Sequence, residues 1–307
     1  MKIAIVGAGA MGSLYGAYLS QKHEVILLDT FKPQVDAINT DGITIVEKNG
    51  DEQRFINGKA YISGEYKEQV DVVILFVKAT FTEVALASNQ HLFGENTLVV
   101  TLQNGAGNDR KIAKYVKNEN IIIGTSKHNA VSLEPGKVSH PAIGVTTIGS
   151  NEEDNEAIYE IEKLLSECGF EAVVSKDIQR IIWSKLFVNL SVNTLTALTE
   201  TPIGYMIKDQ HAWEFAKRLI YEAVDVAEAD GTYFDRREAL ESVRKVCQQA
   251  GDGYSSMFQD RKNRVKMEID AINGAIVEQA KLYGVPTPYN TIIVDLIHAI
   301  EGAYEFD

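Results

Sequence analysis

Lys185, Asn189 and Asn193 recur every fourth residue through an otherwise apolar stretch, Trp183-Ser184-Lys185-Leu186-Phe187-Val188-Asn189-Leu190-Ser191-Val192-Asn193. On an α-helix this spacing sets three polar side chains along one face, drifting by about 40° per step. An ammonium can give a proton to an oxygen that is becoming an alkoxide, and two carboxamides can hold a polar substrate beside it. Polar groups on an apolar helix need partners or a ligand. The bland alternative is a solvated helix face, where Lys and Asn are common.

Further candidates lie apart in sequence. Ser255 and Ser256 precede Met257-Phe258-Gln259-Asp260, and Glu268 opens Glu268-Ile269-Asp270-Ala271-Ile272-Asn273-Gly274. By themselves these read as an N-capped helix with ordinary surface charge. Lys78 follows the apolar run Asp71 to Val77, and Asn104 sits in the turn Gln103-Asn104-Gly105-Ala106-Gly107. Both fall at the carboxyl ends of strand patterns, the edge where open α/β sheets bind ligands, though either could be a plain loop residue. His128 and His140 have no partner visible in sequence and are assigned structural roles. Cys168 and Cys247 lie in apolar helical patterns and read as packing residues. No His, Cys or carboxylate spacing suits a metal, so none is expected.

A second reagent is needed beside a proton donor, and the N-terminus supplies its carrier. Lys2-Ile3-Ala4-Ile5-Val6 is an apolar strand, Gly7-Ala8-Gly9-Ala10-Met11-Gly12 a glycine turn, Ser13 to Gln21 a helix, and Glu24 to Leu28 a strand ending in Asp29. This is the order a dinucleotide needs: Gly7 for the tight turn, Gly9 for close approach of the pyrophosphate, Gly12 for helix–strand packing. Backbone N–H groups at the helix start would face the phosphates, and an acid at the end of the second strand would take a ribose hydroxyl.

The 307 residues suggest about two domains, and 45% hydrophobic with 24% charged residues is the make-up of a globular chain. A net charge of −13 argues against nucleic acid or an anionic membrane as partner, while a local lysine could still attract an anionic substrate. Apolar runs such as Val72 to Val77 are far short of a membrane span. The strand pattern begins at Lys2, so no cleaved leader is expected, and a cytoplasmic location follows.

Strand and helix patterns alternate as far as Ala172 to Val174, with a hairpin over 43–56 and a β-rich stretch over 126–149. From Asp177 onward the pattern is nearly all helix: 177–198, 212–230, 236–249, 256–283 and 291–301. The fold class expected is α/β, a Rossmann-type doubly wound sheet over 1–175 followed by an all-helical substrate-binding and catalytic domain over 176–307. With no flexible linker between them, the two are expected to pack closely. The helical half leaves a homodimer open.

Taken together these motifs resemble those of the ketopantoate reductases. The resemblance rests on Gly7 to Gly12, Lys78-Ala79, Gln103 to Gly107, Trp183-Ser184-Lys185-Leu186 with Asn189 and Asn193, Ser256-Met257 with Gln259-Asp260, and Glu268 to Gly274. It covers nearly the whole chain. It implies a reductase that uses NAD(P)H, and by family habit NADPH, to turn a 2-oxo acid into a D-2-hydroxy acid, foremost 2-dehydropantoate in pantothenate biosynthesis. It implies Lys185 as general acid, Asn189, Asn193 and Ser256 as substrate ligands, Lys78 and Asn104 beside cofactor and substrate, and Glu268 as support of the closed site; Ser255, next to Ser256, is taken as a further substrate ligand.

Three departures from the family pattern bear on specificity. Asp29 stands where a basic residue usually meets the 2′-phosphate of NADPH; an acid there favours NADH, with Lys32 the one nearby cation. Gly253-Tyr254 replaces an Asn-Leu pair, and Ile203 follows Pro202 where Asn is frequent. A pocket that loses two polar groups discriminates less for a substrate hydroxyl. The second expectation is therefore an NADH-dependent dehydrogenase of branched or aromatic 2-hydroxy acids such as D-mandelate or D-2-hydroxyisocaproate. A third, from another class, is a non-catalytic NAD(P)-binding sensor, which would have no need of Lys185 and Glu268.

Overall fold

The computed structural model describes residues 1–304 and divides into two compact units, 1–103 with 108–178 and 104–107 with 179 onward.

The first unit is ordered β1 Lys2–Val6, α1 Ala10–Leu19, β2 Glu24–Asp29, α2 Lys32–Asp41, β3 Ile43–Glu47, β4 Glu52–Phe55, β5 Lys59–Ile62, β6 Val72–Leu75, α3 Thr82–Ser88, β7 Leu98–Thr101, α4 Asn108–Ile112, β8 Ile121–Ser126, β9 Asn129–Glu134, β10 Lys137–Ala142, β11 Thr146–Gly149, α5 Ala157–Glu167 and β12 Ala172–Val174. Eight strands form one sheet in the order β12-β11-β8-β7-β6-β1-β2-β5, parallel except for β11 against β8. Every residue of β6, β7 and β8 is buried, which is why these strands read as unbroken apolar runs rather than alternating ones. β1 lies centrally between β2 and β6, so the chain reverses its winding there and the glycine turn leaves the sheet at a topological switch point.

Two features differ from the sequence expectation. The short strand β5 extends the sheet beyond β2, with no apolar run to announce it. The hairpin β3–β4 is present, Ile43 opposite Phe55, but β3 also pairs in parallel with β10, making a separate four-stranded sheet β4-β3-β10-β9.

The second unit contains α6 Ile178–Val188, a π turn Asn189–Asn193, α7 Thr194–Thr199, α8 Gln210–Ala229, α9 Arg236–Ala250, α10 Ser256–Lys262, α11 Ile269–Tyr283 and α12 Pro288–Ala303. The continuous 22-residue helix 178–199 is long and apolar enough by composition to cross a membrane, which the run-length argument overlooked. In the fold it is a core element: Trp183, Phe187, Leu190 and Val192 are all fully buried among the apolar faces of α8, α9 and α11. Asp209 and Asp235 cap α8 and α9 by accepting from backbone N–H groups one turn on. Cys168 and Cys247 are buried, and burial pushes both thiols up, Cys247 to about 11.

The single helix expected over 256–283 is broken. Arg264 adopts φ +54° and Val265 N–H donates to Asp260 O at 2.8 Å, a left-handed helix stop. The chain restarts with Glu268 at the N-cap of α11.

Candidate active site

In the first unit the site is the turn between β1 and α1. Gly7 has φ +98°, and a Cβ there would lie 2.6 Å from Val77 N; a Cβ on Gly12 would lie 1.8 Å from Gly7 O. Gly9 differs, because nothing lies within 4 Å of a Cβ built on it. Its open side adjoins the start of α1, whose N-cap is Gly9 and which has no side-chain cap. The orphan N–H groups of a helix's first turn need acceptors, and an anion such as a pyrophosphate supplies them. Crowding on one side, space on the other and uncapped donors between fit a dinucleotide.

Ala8 does not take part as expected. It is buried; its N–H donates to Asp29 Oδ2 at 2.8 Å, and its carbonyl accepts from Ser13 Oγ and Gln34 Nε2, both at 2.8 Å. Ala8 therefore braces the turn rather than offering a donor to a ligand. Gln34, unsuspected from sequence, also accepts from Gly136 N at 2.9 Å and so ties the turn to the second sheet. Ala10 and Met11 are on the first turn of α1 and partly accessible.

Asp29 likewise has a structural share, since its Oδ1 accepts from Phe31 N at 2.9 Å. The carboxylate is thereby fixed at the end of β2 with lone pairs to spare. Lys32, the candidate counter-charge for a phosphate, instead meets Asp36 on its own helix at 2.6 Å. Lys78 is exposed just past β6, and Val77 before it is the backbone packed on Gly7, which puts Lys78 on the same sheet edge as the glycine turn.

In the second unit Lys185, Asn189 and Asn193 are all half-buried on one helix. The helix is not regular. Asn189–Asn193 is a π turn, whose i→i+5 bonding takes more residues per revolution than an α turn. The 40° drift expected between Asn189 and Asn193 is therefore reduced, and Asn193 Nδ2 donates to Asn189 Oδ1 at 3.2 Å. Part of the cause is local. Ser191, Thr194 and Thr196 each return a hydroxyl hydrogen bond to the carbonyl four residues back, at 2.6, 2.6 and 2.8 Å. Such back-bonding competes with the backbone ladder and bends helices. Asn273 on α11 adds a donor from outside, Nδ2 to Leu190 O at 2.9 Å.

Asn273 belongs to a buried relay that sequence reasoning missed. It also donates to Asn290 Oδ1 at 2.9 Å, and Asn290 Nδ2 donates to Glu222 Oε2 at 2.8 Å. Glu222 further accepts from the N–H groups of Tyr289 and Asn290 at the start of α12, a fitting place for a buried carboxylate. The available signal was a polar residue at a position of α11 that otherwise faces the core.

Asn104 groups with the helical unit, not with the sheet edge from which its loop departs. A Cβ on Gly105 would lie 2.5 Å from Ala271 O, so the turn hugs the first turn of α11, and Asn104 Nδ2 donates to Glu268 Oε2 at 3.2 Å. This gives Glu268 a partner that sequence left unassigned. Ser255 corrects another expectation: it is buried, caps α10 by accepting from Phe258 N at 3.1 Å, and bonds Thr196 Oγ1 at 2.8 Å. Its hydroxyl is spent on the fold, and Ser256, exposed at the first position of α10, is the serine that can meet a substrate.

The two distant departures adjoin. Ile203 N–H donates to Gly253 O at 2.8 Å, and Tyr254 stacks on Phe258 with ring centroids 4.3 Å apart. An apolar residue and an aromatic pair thus stand beside Ser256. Elsewhere, His128 and His140 turn out to partner each other at 3.0 Å, and His140 Nδ1 meets Glu47 at 3.1 Å.

Comparison with known proteins gives a consistent match. The family described as Ketopantoate reductase PanE/ApbA matches residues 3–153, and its C-terminal counterpart matches residues 177–301. A 2-dehydropantoate 2-reductase of Streptococcus pyogenes is 31% identical over 305 residues, 98% of both chains. One of Pyrococcus horikoshii is 33% identical over 303 residues, again 98% of both. Among solved structures, a D-mandelate dehydrogenase bound to NADH and anilino(oxo)acetate is 34% identical with a TM-score of 0.89, covering 99% of this chain and 100% of that one.

Proposed function

The chain belongs to the ketopantoate reductase family and is a nicotinamide-dependent oxidoreductase acting on a CH–OH group, and from that premise we propose that it reduces 2-dehydropantoate to D-pantoate with NADH as the preferred donor. The observation that supports this reading most is the polar stripe Lys185-Asn189-Asn193, whose two asparagines are joined across the π turn.

When bound, the reduced nicotinamide supplies a hydride to the 2-oxo carbon. Lys185 protonates the oxygen that becomes the new hydroxyl, and its ammonium stabilises negative charge there before the proton moves. Asn193 engages Asn189 Oδ1, which leaves the Asn189 amide hydrogens to face an anionic or hydroxyl-bearing substrate. Ser256 adds a hydroxyl at the start of α10, and Glu268 with Asn104 forms a second polar pair on the same unit. Asp29 favours a free ribose 2′-hydroxyl over a phosphate.

A second reading, a D-2-hydroxy acid dehydrogenase for aromatic or branched substrates, is favoured by the adjoining Ile203 and Tyr254–Phe258 and by the likeness to the D-mandelate dehydrogenase with bound NADH. A kinetic panel decides: NADH and NADPH, each crossed with 2-dehydropantoate, 2-oxoisocaproate, 2-oxoisovalerate and phenylglyoxylate. Highest kcat/KM for 2-dehydropantoate with NADH supports the first reading. Preference for phenylglyoxylate or 2-oxoisocaproate replaces it with the second, and strong NADPH preference removes the argument from Asp29.

A further inference from the structure

Glu268 is bracketed by a pair of side chains on α12 that the proposed chemistry does not use. Glu301 Oε1 accepts from the N–H of Met267, the residue before Glu268, at 2.7 Å. Its other oxygen, Oε2, meets His298 Nδ1 at 3.0 Å, and His298 Nε2 meets Asp270 Oδ1, two residues after Glu268, at 2.8 Å. The Glu301 side chain is only 11% exposed. The run Met267–Glu301–His298–Asp270 therefore closes around Glu268 from both sides. Glu268 is an N-cap without a side-chain cap bond of its own, so the start of α11 is held from α12.

Both partners of the His298 ring are carboxylates, which accept and do not donate. A neutral imidazole has one N–H and can satisfy only one of them; an imidazolium satisfies both. Loss of the proton opens one end of the bracket and leaves Asp270 and Glu301 facing each other with less positive charge between them. We propose that His298, as the imidazolium, is a positioning residue that holds Glu268 against Asn104, so that the geometry of the substrate side of the site changes with the protonation of a histidine that does not touch substrate. This rests on the reading above that Glu268 belongs to the working site.

Burial pushes the His298 proton affinity down, but the hydrogen bonds to Asp270 and Glu301 outweigh it and leave the ring easier to protonate than an ordinary histidine. The other groups nearby are Tyr304, which faces Glu301, and Arg261, Arg264 and Asp260, which face Tyr304. Asp295 lies one turn earlier on α12 and is exposed.

Two measurements on the full-length protein test this. The first is an imidazole NMR titration of His298 in the wild type and in Glu301→Gln and Asp270→Asn. Expected is a doubly protonated ring whose midpoint lies above the ordinary histidine value and falls in each variant. A ring that titrates like an exposed histidine in all three overturns the bracket, whatever the protein's substrate. The second is the pH dependence of kcat and KM, with whichever 2-oxo acid turns over fastest, for the wild type, His298→Gln, His298→Arg and Glu268→Gln. Small misplacements in an active site lower rates by on the order of ten- to a hundredfold, so the wild type should lose kcat/KM as His298 gives up its proton, and His298→Gln should lower kcat/KM about tenfold at neutral pH, remove that pH dependence and move KM more than kcat. His298→Arg, which keeps the charge and several donors, should restore most of it. If Glu268→Gln is impaired while His298→Gln keeps the wild-type pH profile, the proposal fails. If Glu268→Gln is unimpaired, it is the role given to Glu268 that falls, and the proposal with it, although the titration would still establish the bracket as structure.

Discussion

Asn273 Nδ2 reaches across from α11 to the carbonyl of Leu190, 2.9 Å away, in the middle of the π turn that carries Asn189 and Asn193. A widened turn exposes carbonyls that the regular ladder would engage, and a buried one without a donor is costly. Replacing Asn273 by Leu keeps the bulk; Leu190 O retains the Thr194 hydroxyl at 2.6 Å, but the buried Asn290 Oδ1 loses its donor. The expected loss is about 1–3 kcal/mol of stability, the cost of an unsatisfied buried polar group. The KM for the 2-oxo acid should also rise, because Asn189 and Asn193 lose their register. Thermal melts and steady-state kinetics check both, and a variant with wild-type melting and KM would sink the idea that Asn273 maintains the turn.

Lys185→Ala should lower kcat by on the order of 10²–10⁴, the usual worth of a positioned general acid. Binding of NADH, followed by fluorescence titration, should stay within a factor of about two, as for a loss confined to the chemical step. Retained turnover would remove Lys185 from the mechanism.

Asp29→Asn separates the two duties of Asp29. The amide keeps an oxygen for the Ala8 N–H, now engaged at 2.8 Å, gives up the bond from the Phe31 N–H, and loses the negative charge that opposes a 2′-phosphate. The NADPH-to-NADH ratio of kcat/KM should rise by on the order of tenfold, a modest result for removing one unit charge near a partly solvated phosphate. An unchanged ratio would show that Asp29 only braces the turn.

Gly9→Ala and Gly12→Ala should part company. A methyl on Gly9 meets no protein atom within 4 Å, so folding should be unaffected while cofactor affinity drops. A methyl on Gly12 would lie 1.8 Å from Gly7 O and must force the turn open, lowering the melting temperature as well. Equal affinity for NADH in Gly9→Ala and the wild type would place the pyrophosphate elsewhere.

The His128–His140 pair gives the first unit an acid-side weakness. Burial, and then the neighbouring His140, lower the His128 value from 6.5 to about 4. The unfolded chain therefore takes up a proton more readily than the folded one between those values. The stability contributed by this group is complete above about 6.5 and is lost as the pH falls towards 4. Denaturant melts across that range should show a slope that diminishes in His128→Asn. An identical slope in the variant would mean that other groups govern the acid limb.

The sheet was legible in sequence because β6, β7 and β8 are buried on both faces and so carry unbroken apolar runs. β5, with Lys59 and Tyr61 at an edge, has no such run and passed unnoticed. The glycine turn was legible because its constraints are local. The π turn was not, since it depends on Ser191 and Thr194 hydroxyls bonding their own backbone and on Asn273, far along the chain. Ser255 and Ser256 are neighbours of the same type, and only packing against Thr196 turns one of them inward. The break before Glu268 was hidden because Arg264 carries no glycine signal at its left-handed position.

Residues 104–107 leave the sheet-bearing unit for the helical one, and the chain then returns for β8 to β12. On the ribosome this has a cost in time. Asn104 emerges 164 residues ahead of Glu268, its partner. At roughly 5–20 residues per second the turn waits on the order of ten seconds for the segment that holds it. The sheet can form during that interval, but its loop cannot be finished. A chain ending at residue 178 would hold a complete set of strands and an unfinished turn, with nothing for Gly105 to pack on. Translation rate and chaperone access over the last third of the message thus bear on a turn encoded well before its midpoint.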